Sequence, residues 1–235
     1  MKRFLLIALV FLGQQTYAQK KIFKATNTTP SNQGEGLANN DIISGLREAL
    51  KVGTNNSTAS ASKLDGFYKN PLIKIPFPRE VRDVESTLRG MGMDKEVDKF
   101  VKTLNRAAED AAKSAAPIFL NSIQHITIND GLTILRGGND AATQFLKTTS
   151  NAALIAAFKP IVQSSLNKVK IAQYWNPLMS TYNKIPLVKK VNPDLNQYVT
   201  DKAIEGLFKL IAAEELKIRK DPAARINDIL KSVFG

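Results

Sequence analysis

The chain has 235 residues, with 33 basic and 21 acidic side chains, one histidine and no cysteine. Without cysteine there is no disulfide framework, no thiol nucleophile and no residue on which a bacterial lipoprotein is lipidated. The lone His125 is too little for a zinc centre, and no motif marks a serine nucleophile to pair with it, so no metal, cofactor or catalytic residue is expected.

Lys2 and Arg3, the nine apolar residues 4–12 and the polar exit 13–18 have the layout of a secretory signal peptide. Thr16 and Ala18 put small side chains three and one positions before a cut at Gln19. Nine residues span only about 13 Å as a helix, less than half of a ~30 Å hydrocarbon core, so the run is not an anchor. Cleavage leaves 31 basic against 21 acidic residues, and no later run approaches the ~18 apolar positions of a membrane span, so the mature chain is expected to be soluble and not lipidated. Residues 19–39 carry almost no large apolar side chain and read as a flexible tether.

From residue 40 to 235 the pattern predicts a single all-α domain, a bundle of about 8–10 helices with one extended, proline-rich strap. Asn40 or Asp41 caps a first helix whose inward face carries Ile42, Ile43, Leu46, Ala49, Leu50 and Gly53. The strap, 65–78, follows: its three prolines push their predecessors toward extended backbone, and Leu72, Ile73, Ile75 and Phe77 are too apolar for a solvated loop. Helices are then expected over 78–88, 94–113, 117–124 and 127–136, with Gly90-Met91-Gly92 and Gly137-Gly138 as breaks and Thr127 as an N-cap. Asn139 or Asp140 caps the next. Residues 150–169 form another, kinked at Pro160, and an aromatic stripe follows over 171–182. The longest clean pattern is 200–220, in which Glu215 pairs with Arg219. Asp221-Pro222 opens a last helix.

Two segments bear on function. Asn105, Arg106, Glu109 and Asp110 form two i, i+4 pairs, read either as a solvated, salt-bridged face or as a groove in which Glu109 is a general acid or base. That second role needs another carboxylate, and Asp140 or Glu205 is the candidate. Residues 141–193, 53 positions, contain no Asp or Glu but seven lysines, interleaved with Phe145, Phe158, Tyr174, Trp175 and Tyr182. Gathered on one surface, such cations attract polyanions, which for an exported protein are anionic lipid, lipopolysaccharide or acidic glycan more than nucleic acid. The candidate ligand-binding residues are Lys159, Lys168, Lys170, Trp175, Tyr182, Lys184, Lys189 and Lys190, with Tyr68 and Lys74 of the strap.

Residues 45–50 (GLREAL), 66–76 (GFYKNPLIKIP), 138–145 (GNDAATQF) and 191–199 (VNPDLNQYV) resemble the landmarks of domain of unknown function 4197, an exported bacterial family of helical proteins. The resemblance implies a periplasmic, cell-envelope setting and supplies no activity. The expected function is a non-catalytic binding or scaffolding protein for an anionic or amphiphilic envelope component. The alternatives are a hydrolase or lyase using paired carboxylates, or a structural module that meets a protein partner through its apolar strap.

Overall fold

Apolar side chains at three- and four-residue spacing make most of these segments helices. Val97, Phe100, Val101, Leu104, Ala107, Ala108 and Ala111 all bury along one stripe of a single helix, as their spacing requires. The structure, a computed structural model, describes residues 39–79, 82–90, 92–168, 175, 183–184, 186–187, 190 and 194–221. The signal peptide, the tether up to residue 38, the last helix from residue 222 on and, apart from Trp175, the 171–182 stripe lie outside them.

Among the described residues there are seven helices: α1 (Asn39–Ser62), α2 (Arg82–Gly90), α3 (Asp94–Ala112), α4 (Ala115–Gln124), α5 (Ile128–Arg136), α6 (Ala141–Asn167) and α7 (Leu195–Lys220). They pack as an all-α bundle. α3 touches α1, α2, α4, α6 and α7, while α7 lies against α1, α3 and α6, and α5 closes on α1 and α6. One continuous core includes the fully buried Phe67, Phe119, Phe158, Leu104 and Leu207.

Local chemistry sets several boundaries. Thr127 opens α5 with a capping box, its hydroxyl taking Asp130 N–H while Asp130 accepts from Thr127 N–H. α1 runs on through a polar stretch because Thr54, Ser57 and Thr58 are buried with their hydroxyls donated to carbonyls one turn back, at 2.8, 2.7 and 2.8 Å. α2 is described from Arg82, and Pro78, expected to open it, is buried with Phe77 at the end of the strap. α7 starts at Leu195, five residues earlier than its pattern suggests, with Asp194 Oδ1 accepting from Gln197 N–H at 3.0 Å.

The largest departure from the sequence pattern is α6. The separate pieces expected after Asp140 and over 150–169 are one helix of 27 residues with Pro160 inside it. Ala142, Leu146, Ser150, Leu154, Phe158, Val162 and Leu166 bury at every fourth position. Four residues overshoot one turn by about 40°, so the buried face winds about 240° round the helix between the first and the last of them. No single stripe faces the core, and α6 meets α5, α4, α3 and α7 along its length.

Candidate functional site

The strap is the first element of the site. It is less extended than its prolines suggest: residues 64–69 and 71–73 form turns, and the longest run without regular structure is 74–76. From Leu72 onward exposure alternates. Ile73, Ile75 and Phe77 point inward at 4, 1 and 6 % exposure, while Leu72, Lys74 and Pro76 face out. Phe77 packs on Phe100 and Trp175 at ring separations of 5.1 and 5.5 Å.

Polar groups of α3 pin the strap backbone. Asn105, fully buried, accepts from Ile75 N–H and donates to Ile75 C=O, both at 2.8 Å. Glu109 is also buried and accepts from Phe67 N–H at 3.1 Å and Tyr68 N–H at 3.2 Å. Arg106 bridges Glu109 to Asp65. The Lys69 ammonium and then the Arg106 guanidinium hold the Asp65 carboxyl below its ordinary value. Neither i, i+4 pair of the sequence motif forms. Arg106 pairs with Glu109 and Asp65 while Asp110 pairs with Lys113, because the strap covers this face of α3 and takes its polar groups for itself.

α7 supplies the other wall. An added Cβ on Gly206 would lie 2.8 Å from Phe67 Cε1 and 3.2 Å from Ile73 Cβ, so only glycine admits the strap this close. Tyr198 donates its hydroxyl to Pro76 C=O at 3.2 Å. Between strap and helix lies a groove of about 430 Å³ lined by Lys74, Arg79, Lys202 and Lys209, against one carboxylate, Glu205. Lys202 Nζ and Lys209 Nζ clamp Glu205 at 2.6 and 2.8 Å. Lys202 and then Lys209 pull its carboxyl down to about 2. Lys74 Nζ stands 4.8 Å from the centre of the Tyr68 ring.

A second cleft of about 500 Å³ opens between α6 and α7, on the other side of the Glu205–Lys209 ridge. It is close to balanced in charge, with Asp140, Asp201 and Glu205 facing Lys147 and Lys209. Asp140 accepts from Gln144 at 3.0 Å and Asp201 from Gln197 at 2.7 Å. Glu109 lines neither opening, so Asp140 and Glu109 are not brought to one cleft. A general acid at neutral pH needs a raised pKa, and the shift of Glu205 is downward.

Along α6, the described helical part of the acid-free segment, the lysines do not share one face. At 100° per residue, Lys159 projects about 120° round α6 from Lys147, and Lys168 about 180° from Lys159. Lys147 faces the α6–α7 cleft, and Lys159 donates to Gln197 at 3.2 Å. Lys168, Lys184 and Lys190 are exposed, and none of them lines the groove. Trp175 is a core residue, 4 % exposed and stacked on Phe100 at 5.2 Å. Lys170, Tyr182 and Lys189 lie outside the described residues. His125 ends α4 in an exposed position, its Nδ1 2.7 Å from Asn121 C=O.

Of the predicted ligand-binding residues, Lys74 lines the groove and Tyr68 supports it. Arg79, Lys202 and Lys209 were not anticipated. Lys202, Glu205 and Lys209 fall at i, i+3 and i+7 of one helix, which by itself reads as an ordinary surface ion ladder. The strap alongside turns it into a wall.

The family described as Protein of unknown function (DUF4197) matches residues 36–235. The chain belongs to it. No curated protein and no solved structure matches this DUF4197 protein. Among its described residues no helix is long and apolar enough to cross a membrane, and no group of His, Asp and Glu side chains is placed to hold a metal ion.

Proposed function

We propose that this DUF4197 protein is an exported, non-catalytic binding protein that takes an anionic component of the cell envelope in the groove between strap and α7. The observation that supports it is the charge balance there: four cations from two chain segments against a single carboxylate. Such clustering creates a local positive potential beside low-dielectric protein, which concentrates anions.

The reading makes two measurable claims. Titration with inositol hexakisphosphate, a chain-free polyanion, is expected to show one site that the double substitution K74E/R79E abolishes. Glu205→Gln is expected to bind the same probe about five-fold more tightly, because it removes a negative charge at contact distance and frees two ammonium groups, worth about 1 kcal/mol in a well-hydrated groove. The groove's own groups are expected to add no pH dependence between about pH 5 and 8, since no histidine lines it and Glu205 stays ionised down to about pH 2. Any change in affinity there should follow the probe's phosphates, which ionise further at about pH 6. An unchanged titration curve for K74E/R79E removes the proposal.

A further inference from the structure

We infer that this groove seats the protein on an anionic membrane surface, with Leu72 entering the boundary between headgroups and acyl chains while Lys74, Arg79, Lys202 and Lys209 engage the headgroups. The inference rests on the anion-binding reading of the groove and adds the occupant.

Leu72 is 51 % exposed and lines the groove beside those cations. One exposed leucine means nothing on its own. Here, however, the backbone presents it. Asn70 builds the turn, its side chain accepting from Leu72 N–H at 3.1 Å and its carbonyl from Ile73 and Lys74 N–H at 3.2 and 2.8 Å. Burial of Ile73 and Ile75 and the bonds from Asn105 fix the strap on either side of Lys74, so the outward set Leu72, Lys74, Pro76 is a property of the fold.

A soluble phosphate compound or an acidic glycan would use the cations and leave Leu72 in water. Only an amphiphilic surface uses both. Peripheral attachment takes two weak attractions acting together, a basic patch and an apolar insertion, and this groove has one of each. Leu64, 75 % exposed but outside the groove, is the natural comparison.

The test uses the full chain carrying Leu6→Asp and Leu9→Asp, so that the apolar run 4–12 does not itself partition into lipid. Sedimentation with vesicles of equal parts phosphatidylglycerol and phosphatidylcholine is expected to carry the protein down, and pure phosphatidylcholine vesicles are not. K74E/R79E is expected to weaken partition at least about 100-fold, each basic residue near an anionic surface being worth about five-fold and each reversal counting twice. Leu72→Ser is expected to weaken it about five-fold, as for half of a leucine side chain leaving the interface, with its inositol hexakisphosphate affinity unchanged. Leu64→Ser should match the parent. Raising salt from about 0.1 M to about 1 M, which shortens the Debye length from about 10 to about 3 Å, should release the protein. Membrane docking is overturned by a parent that binds inositol hexakisphosphate but no vesicles, by equal retention on neutral vesicles, or by Leu72→Ser matching the parent. Absence of polyanion binding in the parent would sink the groove reading as well. Melting curves that match the parent confirm that these surface variants are folded.

Discussion

Replacing Glu109 with alanine is expected to lower the unfolding free energy by about 3–5 kcal/mol, the usual cost of removing one partner from a buried ion pair. Glu109 is 3 % exposed, and its two oxygens serve three donors: Phe67 N–H, Tyr68 N–H and Arg106. Alanine strands the buried Phe67 N–H and takes one of two carboxylates from Arg106, which keeps Asp65. At about 2–4 °C per kcal/mol for a chain of this size, the melting temperature should fall by roughly 10 °C. Groove binding should weaken too, although Glu109 does not line the groove.

The magnitudes separate two jobs. Burial of Phe67, Ile73, Ile75 and Phe77, at about 1.5–3 kcal/mol each, dominates the energy of strap attachment. Burial alone is tolerant of register, whereas a shift of one residue in an alternating segment exchanges Ile73 and Ile75 for Leu72 and Lys74. The bonds from Glu109 and Asn105 name particular backbone groups and so select one register. A Glu109→Ala variant that melts within 2 °C of the parent would show that apolar packing holds the strap unaided. The bridge to Asp65 also has a defined acid limit. A lowered carboxyl pKa stabilises above its ordinary value of 3.8, and that contribution fades only as pH falls through the lowered value. The strap is therefore expected to stay seated above about pH 4.

Glu215→Ala is the second large effect, also about 3–5 kcal/mol. This carboxylate of α7, 7 % exposed, accepts from Ala142 N–H at 3.0 Å and from Thr143 N–H and Oγ1, both at 2.8 Å. Asp140, the N-cap of α6, makes no capping bond of its own. The positive end of a helix of 27 residues is thus satisfied by a carboxylate 72–73 positions away. Glu215 also holds Arg219, which donates onward to Ile134 C=O at 2.9 Å, so the two side chains together join α5, α6 and α7. Alanine should lower the melting temperature by roughly 10 °C. It should also speed hydrogen exchange at the Ala142 and Thr143 amides more than elsewhere. Glu215→Gln keeps the shape without the charge and should fall between. Unchanged exchange at those two amides would show that α6 starts without help.

What could be read from residues alone was local. The stripes of α3 and α7, the break at Gly90–Gly92, the N-cap at Thr127 and the Glu215–Arg219 pair all follow from contacts within about four residues, where helical geometry fixes who meets whom. The family landmarks were equally visible. Charge was not. Within the acid-free run of 141–193, a buried set at every fourth residue turns α6 as it goes and sends Lys147 and Lys159 in different directions. Meanwhile the cationic groove draws Lys74 and Arg79 from the strap region and Lys202 and Lys209 from α7. Asn105 and Glu109 carried the marks of a solvated face and are buried, because a segment 30 to 42 residues upstream lies over them. Periodicity along a helix depends on the chain's own geometry and is written in the order of residues. Which segment covers a given face depends on how the whole bundle closes, and only the folded chain decides that.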